Sequence, residues 1–111
     1  MKLYRYEFQK DNKKIGILTG LDDYFTDDEI FSVCGIFEMR LDEPSISMQD
    51  TKSYFTEKGN RKFRKAIRKI QKIAESKNIE VICEQIDKEN LEDILYEDIY
   101  QVIILQQEVL L

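Results

Sequence analysis

Seven basic side chains, Arg61, Lys62, Arg64, Lys65, Arg68, Lys69 and Lys72, fall at spacings that a helix would gather on one face. Such a stripe has the charge to follow phosphates. No aromatic, Asn or Gln is interleaved on that face to read bases, so the pattern favours a solvated outer face opposing the protein's own acidic segments. Nucleic-acid contact through the same face is the alternative.

A second group has the opposite sign: Asp22, Asp23, Asp27, Asp28 and Glu29. It lacks the D-x-D-x-D-G spacing of a calcium loop, and no metal site is expected from it. Asp27, Asp28 and Glu29 suit the first turn of a helix. Asp22 and Asp23 stand beside Tyr24 and Phe25, and negative charge next to aromatics suits docking on a basic protein surface, including one that normally holds nucleic acid. A capped helix with a polar lead-in accounts for the same residues.

The chain contains no histidine. That excludes Ser-His-Asp and Cys-His nucleophile pairs, His-ligated zinc and a histidine general base. Gly16-Ile17-Leu18-Thr19-Gly20 lacks the Gly-Lys-Ser/Thr ending of a phosphate-binding loop and reads as a turn or strand end. Cys34 and Cys83 each sit in an apolar run without a ligand-spaced partner, so both are expected to be buried thiols. No catalytic residue and no cofactor is assigned on these grounds.

The elements that would position these residues follow from periodicity. Residues 2–9 alternate, with Tyr4, Tyr6 and Phe8 on the inner side and Leu3, Arg5 and Glu7 on the other. Asp11 to Lys14 is turn chemistry, and Ile15 to Thr19 is the expected second strand of a hairpin. Thr26 with Glu29 forms a capping box for a helix ending near Arg40, with Ile30, Val33, Cys34 and Phe37 as its apolar stripe. Residues 41–52 read as irregular. Ser53-Tyr54-Phe55 is a brief strand leading to Thr56, the expected N-cap of one continuous helix to about Ser76. Phe63, Ala66, Ile67, Ile70, Ile73 and Ala74 form its buried face, and Asn78 suits the position after its end. Residues 79–86 are a strand, 91–98 an ambiguous stretch with a helical turn as one reading, and 99–105 a central strand buried on both faces. The expectation is one α+β domain over 1–111: a mainly antiparallel sheet of four or five strands with one or two helices packed on it.

The net charge of −5 is segregated: residues 57–77 carry nine basic groups against two acidic, whereas 21–50 and 78–111 each carry nine acidic against one basic. Blocks of this kind can steer a charged partner. The N-terminal Met1 to Tyr6 alternates instead of forming a signal-peptide core, and no run reaches the ~20 apolar residues of a membrane span. A cytoplasmic protein without membrane contact is therefore expected. Oligomeric state is not legible.

The order of Arg5 on a first strand, then Ser53-Tyr54-Phe55-Thr56 opening a helix, then a late strand followed by Gln106-Gln107-Glu108, resembles the ADP-ribosyltransferases. That resemblance implies that Arg5 holds a dinucleotide phosphate, Glu108 stabilises charge developing on the ribose and Gln106 orients a nucleophile. The chain also looks like small phage and bacterial proteins that open on a Leu-Tyr-Arg strand and close on Gln-Val-hydrophobic. Its size and charge pattern are similar to those of phage-encoded inhibitors of host defence, such as anti-CRISPR proteins. The leading expectation is a small acidic regulator or inhibitor acting by protein–protein binding and not by catalysis. An ADP-ribosyltransferase-like domain, active or degenerate, and a weak nucleic-acid binder through residues 57–76 are the alternatives.

Overall fold

The computed structural model describes residues 1–37 and 51–105. Strand β1 (Lys2–Lys10) and strand β2 (Lys13–Gly16) form an antiparallel hairpin, with Lys10 opposite Lys13. Asp11 and Asn12 make its turn at φ 50° and 67°, the left-handed backbone that a two-residue hairpin needs and that Asp and Asn tolerate. The strand expected at Ile15 to Thr19 ends at Gly16, and helix α1 (Ile17–Tyr24) starts there. Burial decides this against local propensity: Ile17, Gly20 and Leu21 lie at helical spacing and all face the core. Gly20 permits the approach, since a Cβ there would sit 2.8 Å from both Phe8 and Ile15 side chains.

Helix α2 (Asp27–Phe37) opens on the expected capping box. The Thr26 N–H donates to Glu29 Oε1 at 2.9 Å, and the Glu29 N–H donates to Thr26 Oγ1 at 3.3 Å. Strand β3 (Thr51–Thr56) then runs into helix α3 (Glu57–Lys62), where Thr56 Oγ1 accepts from the Gly59 N–H as N-cap. The single long helix expected here is two. Phe63, 1% exposed, separates them at φ −99° and ψ 14°, although its N–H still donates to the Gly59 carbonyl and its carbonyl accepts from the Ile67 N–H, and helix α4 (Arg64–Ser76) follows it. Asn78 follows at φ 59°, and the Ile79 N–H closes back on the Ala74 carbonyl.

Strand β4 (Glu80–Asp87), strand β5 (Ile94–Glu97) and strand β6 (Gln101–Leu105) complete the sheet. The ambiguous stretch 91–98 therefore holds a strand, Ile94–Glu97. Its pairing with β6 and the Asp98 side chain fix it, since Asp98 Oδ1 accepts from the N–H groups of Tyr100 and Gln101 and shapes the β5–β6 turn.

The six described strands belong to one antiparallel sheet, so the fold is α+β. The described residues hold more α-helices than the periodicity suggests, because α1 replaces an expected strand and the expected long helix is divided into α3 and α4. β1 pairs with β4 from Lys2 to Gln9 on one edge. The other edge is shared: β3 takes Leu3 and Tyr4, and β2 takes Glu7 to Lys10. The sheet forks between them. β6 lies between β3 and β5, and Val102 and Ile103 are buried on its opposite faces as expected.

The helices cover the face bearing Phe8 and Phe55, where Phe63, Ile67 and Ile70 of the helical layer meet them. The opposite face is not the solvated side that simple alternation implies. Leu3, Tyr54 and Val102 form a second small core there, and Glu7 is only 8% exposed.

Candidate functional site

The fork in the sheet holds a small cavity. Arg5 and Tyr6 sit where β1 has left β3 and not yet met β2, so no strand pairs with that edge at these two residues. Gly16 to Thr19 of the β2–α1 junction lines one side. Thr51 and Ser53 to Phe55 of β3 line the other, with Gln101 of β6 behind. The cavity measures about 50 Å³, room for one compact polar group rather than a whole metabolite.

Arg5 governs its chemistry. One guanidinium nitrogen, Nη1, donates to the Ser53 carbonyl at 3.1 Å. Glu7 Oε2 lies 3.4 Å from Nε, near enough to balance charge, yet Nε is buried without a hydrogen-bond partner. Gly16 leaves the space for the third nitrogen, since a Cβ there would stand 3.0 Å from Nη2. Gly16 is also the N-cap of α1, which has no side-chain cap and no acidic residue in its first turn. A guanidinium and the positive end of a helix thus face the same small space. Both poles attract an anion, and Glu7 offsets part of the charge on Arg5. Nearby, burial first, then the Glu84 carboxylate, push the Tyr54 hydroxyl above its ordinary range, partly opposed by Arg5.

The first two motifs of the transferase resemblance, Arg5 and Ser53 to Thr56, meet at this fork or beside it. Gln106, Gln107 and Glu108 lie outside the described residues.

The acidic group is placed differently from the docking expectation. Asp22 and Asp23 are exposed, but Phe25 is 6% exposed with its ring 5.5 Å from that of Phe8, and Tyr24 packs edge-on against Phe8 at 5.6 Å. α1, missed in the sequence, turns both rings inward. Glu29 is held by Thr26 and by Lys77 at 2.8 Å, and these contacts, Lys77 first, draw its carboxyl below the usual range.

The basic face is outward, as its spacing requires. Arg61 pairs with Glu57 at 3.2 Å, and Lys62 donates to the Tyr100 hydroxyl at 2.7 Å. Arg64, Lys65, Arg68, Lys69 and Lys72 are exposed and make no ion pair among the described residues. Among the described residues, no acidic side chain neutralises them.

Cys83 is exposed instead of buried, because β4 is an outer strand, while Cys34 lies outside the described side chains. Partial burial nevertheless pushes the Cys83 thiol up, opposed by the Tyr6 hydroxyl, and the thiol helps raise the Tyr6 hydroxyl to about 12, burial being the larger cause. Among the described residues no cluster of three His, Cys, Asp or Glu could hold a metal ion, and no helix is long and apolar enough to cross a membrane. Compared with protein-family models, curated proteins and solved structures, the chain matches none.

Proposed function

We propose that this protein is a small-ligand binding domain whose fork receives the anionic group of its ligand, a phosphate ester or a carboxylate. One observation carries the reading: Arg5 and the uncapped N-terminus of α1 converge on a single cavity. Thr19, Thr51 and Ser53 bring further polar groups to its wall. Glu7 offsets the charge of Arg5, so recognition rests on directional hydrogen bonds and only modestly on net charge. If the transferase resemblance holds, the anion is a dinucleotide phosphate. The proposal itself is binding and includes no catalytic step.

Melting curves with inorganic phosphate, AMP, ADP-ribose and acetate test it. A ligand at tenfold its Kd stabilises by about 1.4 kcal/mol, which is a rise of about 5 °C for a domain of this size. At least one of the four should produce that rise. Arg5→Met should abolish it, and Gly16→Ala, which crowds Nη2, should weaken it while leaving the unliganded protein folded. No rise with any of the four, or a rise that survives both substitutions, contradicts the proposal.

A second reading, docking on a basic protein, is favoured by Phe31. Its ring is 84% exposed on α2, one turn from Asp27 and Asp28. An exposed aromatic inside a negative patch is a natural interface anchor. In a pull-down followed by surface plasmon resonance, Phe31→Ala should mainly raise the off-rate, and Asp22→Lys with Asp23→Lys mainly lower a salt-sensitive on-rate. Salt-independent binding that survives all three changes rules this reading out.

A further inference from the structure

A second site, which shares Tyr6 with the fork, lies where α3 and α4 pass over β1. Tyr6, Asn60, Arg64, Arg68 and Gln71 line a polar groove of about 160 Å³, floored by Ile67. The Tyr6 hydroxyl donates to Asn60 Oδ1, which turns the carboxamide N–H groups away from Tyr6. Arg64 and Arg68 are one helical turn apart at its rim, and Lys65, Lys69 and Lys72 continue the same charge along α4. None of these five cations is paired within the described residues. The amides and the aromatic missing from the basic face in the sequence are supplied by neighbours: Asn60 from α3, Gln71 from the side of α4 and Tyr6 from β1.

We infer that this face binds single-stranded nucleic acid, with phosphates along Arg64 to Lys72 and one sugar or base edge in the groove. Three features select this occupant. The apolar side of α4 is spent on the core, with Ala66, Ile70 and Ala74 at 0% exposure, so the helix has no face left to enter a lipid surface. No large exposed apolar side chain lies on α4, so a protein partner would find no anchor there. Repeated Lys and Arg beside amide donors and a tyrosine are the groups that track a strand and contact an unstacked base. The carboxylates of these helices, Glu57 and Glu75, stand at the two ends of the stripe, and Glu57 is tied to Arg61.

Fluorescence anisotropy with a labelled single-stranded RNA, a single-stranded DNA and a DNA duplex, at about 50 and about 200 mM salt, tests the inference. Binding to single strands should weaken at least tenfold between the two salts. Arg64→Glu with Arg68→Glu should reduce affinity at least tenfold and flatten the salt dependence. Asn60→Ala with Gln71→Ala should reduce it several-fold and leave the salt dependence unchanged. Lys13→Ala with Lys14→Ala, exposed on β2, should have no effect. Equal affinity for the duplex, equal competition by polyglutamate or by anionic lipid vesicles, or binding unaffected by the Arg64/Arg68 reversal would each overturn it.

Discussion

Gly59→Ala is expected to destabilise the domain by about 3 kcal/mol or more, at the upper end of what overpacking costs. In an ordinary helix the same change stabilises by about 1 kcal/mol, so the sign alone is diagnostic. The reason is a backbone-to-backbone approach. A Cβ on Gly59 would lie 2.1 Å from the Tyr100 carbonyl oxygen, which already accepts from the Thr56 N–H at 3.0 Å. Thr56 Oγ1 also donates to the Ile99 carbonyl at 2.6 Å. These contacts lock the start of α3 onto the strand entering β6, and rigid backbone on both sides leaves nothing to yield. A domain of this size has roughly 5–15 kcal/mol in hand, so a large part of its stability is at stake. Urea melts should show the midpoint falling with an unchanged slope. A change below about 1 kcal/mol would mean that α3 does not dock on residues 99–100.

The next largest effect is expected from Ile70→Ala, about 2–4 kcal/mol. Ile70 is fully buried in the layer between α4 and the sheet, so truncation leaves a cavity bounded by residues that cannot collapse into it. Lys69, its neighbour in sequence, is exposed, and Lys69→Ala should change stability by less than about 0.5 kcal/mol. Equal effects in the same melts would contradict the assigned faces of α4.

What the sequence disclosed was local. The Thr26–Glu29 capping box, the Thr56 cap, Asn78 after α4 and the doubly buried β6 each depend on neighbouring residues, and each is present. What it concealed was set by distant partners. Ile17 to Thr19 is β-prone, but the core beneath Gly20 makes it helical, and that helix draws Tyr24 and Phe25 inward. Phe63 fits the helical period, and only its contacts with Phe55 and Tyr100 reveal the break between α3 and α4. The candidate site was half legible. Arg5 and Ser53 drew attention through a resemblance. Their meeting with Gly16 and the α1 N-terminus depends on how β2 and β3 divide one edge of β1, and no periodicity encodes that division. The groove beside α4 was hidden for the same reason, since Tyr6 and Arg64 are brought together only by packing.

Nuclear magnetic resonance during titration with inorganic phosphate tests the proposal that an anion is held at the fork. Saturable shifts are expected for the Arg5 Nε–H signal and for the backbone amides of Gly16 to Thr19 and Ser53 to Phe55, with amides of α4 moving little. Shifts confined to residues 64–72, or no saturable shift around Arg5, would contradict it.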